Sequence, residues 1–232
     1  MVTSPGPGDG KSTIISNISV TLAQTGKRIV VIDGDMRRPT MHKRFNLQTK
    51  EPGVSNFLAE PTTTVGQVLH KTAVEGVFVI PGGPIPPNPA ELLGSPRMKV
   101  LIEQLKEQFD IVLVDSPPVL VVADSAIIAA QVDGAIAVVD GLKTRSSSLK
   151  AALDTLRNTQ VNIVGVVINK LKRVRFGYGY NYPYYYDYYY YSYYYSYYAA
   201  EEGAKTNGHT PAYRKPLDWT RDLLAGKPKN PN

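Results

Sequence analysis

Five short runs govern what this chain can fold into: RIVVID at 28–33, VFVI at 77–80, DIVLVD at 110–115, GAIAVVD at 134–140 and NIVGVVIN at 162–169. Each is apolar nearly throughout instead of alternating in polarity. That is the pattern of strands covered on both faces, and it predicts a parallel sheet between helical layers. The segments between them read as helices. KSTIISNISVTLAQTG places Ile14, Ile15, Ile18 and Leu22 near helical spacing and stops at Gly26. SPRMKVLIEQLKEQF offers Ser95 as a cap, Pro96 at the first helical position, and Val100, Leu101 and Leu105 on one face. The alternation predicts a doubly wound α/β fold, a mostly parallel sheet with helices on both faces, over residues 1–171.

After Leu171 the apolar periodicity stops. Residues 172–232 are rich in Gly, Pro, Asn and Lys and are expected to form a largely disordered tail, with LDWTRDLLAG at 217–226 as a short amphipathic helix. Within that tail, YGYNYPYYYDYYYYSYYYSYY at 178–198 holds all but one of the 16 tyrosines. With 232 residues, 43% hydrophobic and 20% charged, the chain has material for one folded domain beside the tail. Cysteine is absent, which excludes disulfides, thiol nucleophiles and thiolate metal sites. His42, His70 and His209 lack metal-ligand spacing. No apolar run is long enough to span a bilayer, and no signal-peptide pattern opens the chain. The net charge of +6 suits a phosphate ligand or an anionic membrane surface. No Arg or Lys is interleaved between 178 and 198, so a nucleic-acid partner is not expected.

Three pieces of sequence point to a nucleotide site. TSPGPGDGKST at 3–13 is a glycine-rich turn between strand and helix. Backbone N–H groups of Gly8, Asp9, Gly10, Lys11 and Ser12 can curl around phosphate oxygens, Lys11 can reach the β and γ phosphates, and Ser12 can ligate Mg²⁺. Pro5 stands where the phosphate-loop pattern has its first glycine. In IVVIDGDMRRP, Asp33 and Asp35 leave the sheet at the carboxyl end of a strand, two residues apart and so on one side, as a Mg²⁺ holder and proton acceptor. FDIVLVDSPP ends four apolar residues in Asp115, the Walker B arrangement for holding a metal or its water. Asn169, at a strand end, can read an adenine edge or simply occupy a turn. Asp124 reads as a helix cap, and Arg37 and Arg38 as surface residues or as contacts to phosphate or a neighbouring subunit.

With these motifs, the tyrosine cluster and GGPIPPNPAELLGS at 82–95, the chain resembles the BY-kinase family, the bacterial tyrosine autokinases of capsular and exopolysaccharide synthesis. The resemblance covers about residues 2–198 and implies a P-loop NTPase of the Walker ATPase type. It implies a non-specific protein-tyrosine kinase that moves the γ-phosphate of MgATP onto tyrosines of its own tail, generally across subunits of a ring. Lys11 would bind phosphates, Thr13 would contact the α-phosphate, and Ser12, Asp35 and Asp115 would hold Mg²⁺. Asp33 or Asp35 would orient or deprotonate the phenol, with Asp33 the candidate. The acceptors would be Tyr184, Tyr185, Tyr186, Tyr188, Tyr189, Tyr190, Tyr191, Tyr193, Tyr194, Tyr195, Tyr197 and Tyr198. The resemblance further implies partners: further copies of the chain, a membrane polysaccharide chain-length or export protein or upstream transmembrane segments, and a tyrosine phosphatase. The expected location is cytoplasmic, at the inner face of the plasma membrane.

The start of the sequence departs from the family. Only MVTS precedes the loop, where the family has a full strand and, before it, a helical assembly segment, so the central strand is expected to be clipped and the sequence to be a fragment or to have a misplaced start. Two rival readings remain. A P-loop switch ATPase of the septum-placement and partitioning type would carry an extra lysine where Gly6 stands, and would lack the tyrosine tail. An interaction module with a sticky aromatic tail would not demand a hydroxyl on nearly every ring. Each phosphotyrosine adds roughly −1.5 to −2 charges, so a few modifications would outweigh the formal +6 and loosen assembly.

Overall fold

The computed structural model describes residues 1–48 and 51–171. The expected tail, its tyrosines and the 217–226 segment lie outside the described residues. The elements run β1 (Val2–Thr3), α1 (Lys11–Ala23), β2 (Ile29–Asp33), α2 (Met41–Arg44), α3 (Val54–Ala59), α4 (Val65–Val68), β3 (His70–Lys71), β4 (Val77–Ile80), α5 (Pro89–Leu93), α6 (Pro96–Lys106), β5 (Ile111–Asp115), α7 (Asp124–Ala129), β6 (Ala135–Asp140), α8 (Ser146–Asn158) and β7 (Ile163–Asn169). One seven-stranded sheet has the order β3-β4-β2-β5-β1-β6-β7. Every pairing is parallel except β3 with β4. All five apolar runs are strands within a residue of their expected ends.

The reason is visible in the burial. All five residues of β2 are buried, as a strand inside a doubly covered parallel sheet requires. One face packs Val30, Ile32, Ile80 and Val114 against Leu101 and Leu105 of α6. The other packs Val2, Val31, Val79 and Val138 against Ile15 of α1. β7 departs from the expectation that every strand is covered on both faces: its residues are alternately half-buried and exposed, with Val164 65% and Ile168 58% exposed. It is one of the two sheet edges, with only β6 beside it.

Helix α6 buries Leu101 and Leu105 as expected and corrects Val100. Met98, Leu101, Ile102 and Leu105 are buried, at i, i+3, i+4 and i+7, whereas Val100 is exposed. Ser95 precedes the helix and Pro96 opens it, but the Ser95 hydroxyl donates back to the Leu92 carbonyl instead of capping. β1 is short, as its few residues before the loop require, yet it lies centrally between β5 and β6 with both residues buried. Among the described residues, no helix is long and apolar enough to cross a membrane.

Candidate active site

Strand register creates the site. In the parallel ladder Asp33 of β2 pairs with Asp115 of β5, and Val2 of β1 lies beside Asp115 on the other side. Both carboxylates therefore emerge at the carboxyl edge of the sheet, next to the turn that leads from β1 into α1. Gly34 lets the second acidic segment pass close by. Its N–H donates to the Asp115 carbonyl at 2.8 Å, and a Cβ there would stand 2.8 Å from that same oxygen. Asp35 follows, 6% exposed.

The loop itself is shaped by its own polar groups. The Asp9 carboxylate accepts the Gly6 N–H at 3.2 Å and the Thr144 hydroxyl at 3.1 Å. Gly10, with φ of 99°, turns the chain into α1, and no side chain caps the helix. The first N–H groups of α1 are therefore not taken by a capping side chain, the arrangement that attracts an anion. Asn169 stands against this loop, its amide donating to the Asp9 carbonyl at 2.9 Å and its oxygen accepting the Lys170 N–H. Its amide thus braces the loop from the end of β7.

Lys11, Ser12, Asp35 and Asp115 come together as expected. The Lys11 ammonium lies 3.1 Å from Asp35 Oδ2 and 3.6 Å from Asp115 Oδ1. The Ser12 hydroxyl donates to Asp115 Oδ2 at 2.7 Å. Asp115 is fully buried, and its Oδ1 has no hydrogen bond. Burial pushes its carboxyl above the usual range, against the opposing pull of Lys11 and of the Ser12 hydroxyl.

Asp33 is brought to the same edge but turned beneath the turn that follows. Its Oδ2 accepts the N–H groups of Thr40 and Met41 at 2.8 and 2.9 Å, and Oδ1 has no partner. Burial pushes this carboxyl up to about 7, opposed by the Met41 and Thr40 donors and reinforced by Asp115 and Asp35.

Sequence reasoning missed one strong interaction. Asp124 is not the cap of α7, whose N-cap is Ala123; it is fully buried and accepts a two-point contact from Arg37, Nε at 2.8 Å and Nη2 at 3.0 Å. The pair spans 87 positions and ties the acidic turn to α7. An unpaired Asp in an apolar stretch and an Arg after an acidic motif were the only signals. Thr13 is exposed on the first turn of α1.

Comparison with known proteins places this geometry. A family model described as an AAA domain matches residues 4–163. The tyrosine-protein kinase YwqD of Bacillus subtilis is 36% identical over 181 residues, 78% of this chain and 76% of that protein. The putative tyrosine-protein kinase EpsB of Ralstonia solanacearum is 38% identical over 180 residues, 78% of this chain, but the match spans only 24% of EpsB. The solved kinase domain of Escherichia coli tyrosine kinase ETK superposes with a TM-score of 0.72 at 32% identity, covering 79% of this chain and 72% of that one. The fold is that of a P-loop ATPase, and the chain belongs to the BY-kinase family of bacterial tyrosine kinases.

Proposed function

We propose that this chain is an ATP-dependent protein-tyrosine autokinase that transfers the γ-phosphate of MgATP to the tyrosine cluster at 178–198, between copies of the chain, and so regulates capsular or exopolysaccharide synthesis and export. The observation that carries this reading is the Lys11 ammonium held between Asp35 and Asp115 at the mouth of the phosphate loop. A cation already bridges the two carboxylates, and Asp115 Oδ1, which meets it at 3.6 Å without a hydrogen bond, leaves room for a metal ion to take its place. Two carboxylates and the Ser12 hydroxyl suit Mg²⁺, which keeps waters and phosphate oxygens as its remaining ligands. Bound there, Mg²⁺ would neutralise charge on the phosphates during transfer.

The chain's own residues do the rest. Lys11 exchanges its carboxylates for phosphate oxygens when nucleotide enters, which frees Asp35 and Asp115. The open first turn of α1 and the backbone of Gly8–Thr13 hold the phosphates in line. A phenol with pKa near 10 arrives protonated, so an adjacent carboxylate assists its attack. Asp35 borders Lys11 and is the residue we assign to orient the phenol and take its proton. Asp33, the candidate that the sequence put forward for that role, is fully buried and fixes the turn at 34–41 from below through the Thr40 and Met41 N–H groups, so we assign it to positioning. Asn169 positions the loop that holds the phosphates.

The reading also covers partners and place: self-association, a membrane export protein or upstream membrane segment, an opposing tyrosine phosphatase, and a position at the inner face of the plasma membrane. A phosphotransfer assay with labelled ATP tests the chemistry. Lys11→Met and Asp115→Asn are each expected to lower transfer by about 10²–10³. Transfer that survives both substitutions would refute the assigned site.

A further inference from the structure

Lys170 follows β7 directly and has a φ of 56°, a left-handed backbone that is uncommon for a residue with a Cβ. Three bonds hold it there. Its N–H donates to Asn169 Oδ1 at 2.9 Å, and its ammonium donates to Asp140 Oδ2 at 3.0 Å and to the Gly8 carbonyl. Asn169 donates its amide to the next carbonyl of the loop, that of Asp9, at 2.9 Å. The Asn169 carbonyl in turn accepts the Gly141 N–H at 2.8 Å, which ties the end of β7 to the end of β6. Two consecutive residues at the end of β7 thus grip two consecutive carbonyls of the phosphate loop. The chemistry assigned above makes no use of Lys170.

We propose that Lys170 is a positioning residue for the nucleotide: by holding the Gly8 carbonyl it sets the Gly8–Asp9 peptide so that the Asp9 N–H faces the phosphates. Across a planar trans peptide the carbonyl and the following N–H point in opposite directions. Lys170 therefore turns the Asp9 N–H away from itself, and Asn169, on the Asp9 carbonyl, does the same for the Gly10 N–H. A phosphate loop works through converging N–H groups, and a carbonyl turned into it would repel the anion. Gly8, with φ of 83°, has the backbone freedom that such a peptide orientation requires. Lys170 acts through this orientation and not through its charge, because Asp140, whose side chain is 3% exposed, already pairs with the ammonium. The inference rests on the reading of this loop as the holder of the ATP phosphates, and adds to it the residue that keeps two of its N–H groups aimed.

Titration of the full chain with fluorescently labelled ADP and Mg²⁺ tests this without any need for catalysis. Lys170→Met is expected to weaken binding by about 10-fold. Its melting temperature is expected to stay that of the parent, since the Lys170 side chain is 43% exposed and such ion pairs add little stability. Lys170→Arg keeps a charged donor and is expected to restore most of the affinity. The ratio between parent and Lys170→Met is expected to be the same at about 0.05 M and about 0.5 M salt, whereas an attraction through space is screened over roughly 10 Å at 0.1 M. Equal affinity in Lys170→Met, a loss that Arg does not restore, a loss that follows a fallen melting temperature, or a ratio that vanishes at high salt would each overturn the proposal. A parent chain that binds no labelled ADP refutes the phosphate-loop reading and this inference with it. A parent that binds it, with Lys170→Met unchanged, refutes the role of Lys170 alone.

Discussion

Lys11 sits between Asp35 and Asp115 because three charged groups with little exposure are most stable when paired with one another. The third carboxylate of the edge, Asp33, has no such cation and responds by holding its proton. Its carboxyl is raised from 3.8 to about 7, so the folded state binds a proton that the unfolded chain has released between those values. Stability from this group is therefore present at low pH and lost as pH rises toward 7, an effect of several kcal/mol. Asp33→Asn keeps an acceptor for Thr40 and Met41 and removes the titration. Denaturant unfolding from pH 4.5 to 7.5 is expected to show a stability decline in the parent that is shallower in the variant; identical slopes would refute the assignment. Asp33, Asp35 and Asp115 were all legible in the sequence as acids ending apolar runs. Which of them meets the lysine was not, because that depends on the turn after β2 and on Gly34's approach to Asp115, both long-range facts.

At the scale of elements, strands were easier to read than faces or edges. A fully apolar run announces a strand wherever it pairs, but only the sheet order makes β7 an edge, and the two-residue β3 carries too short a pattern to notice. Helix α6 was legible with Leu101 and Leu105 on its buried face, while Val100 was not separable from them: it is as apolar as its neighbour, and the burial of Met98 and Ile102 places it on the exposed side. The Arg37–Asp124 pair links β2's turn to α7 in the same long-range way. Arg37→Ala leaves a buried carboxylate without its donors and is expected to cost about 1.5–3 kcal/mol by denaturant unfolding; a change below about 0.5 kcal/mol would show the pair to be incidental. Gly10 joins loop and helix with φ of 99°, and a Cβ there would stand 2.1 Å from Asn169 Nδ2. Gly10→Ala is expected to cost at least about 1 kcal/mol and to weaken nucleotide binding by displacing the brace from β7. Unchanged titration with ATP would contradict that role for Asn169.

For the whole molecule, a P-loop domain with an acidic edge is joined in one sequence to a segment that holds fifteen of the sixteen tyrosines. The match covers three quarters of YwqD but a quarter of EpsB, so the similar region lies within chains of very different length. In this chain the proposed site lies at the carboxyl edge of the sheet, and the tyrosines are its proposed substrate. The net charge of +6 gives their modification a physical consequence, since a few phosphates at roughly −1.5 to −2 each reverse it. The most direct measurement is to incubate the chain with MgATP and map phosphate by peptide mass spectrometry, with Lys11→Met in parallel. Phosphotyrosine within 178–198 in the parent and none in the variant is the predicted result. ATP hydrolysis with every tyrosine of the cluster unmodified would contradict the kinase reading.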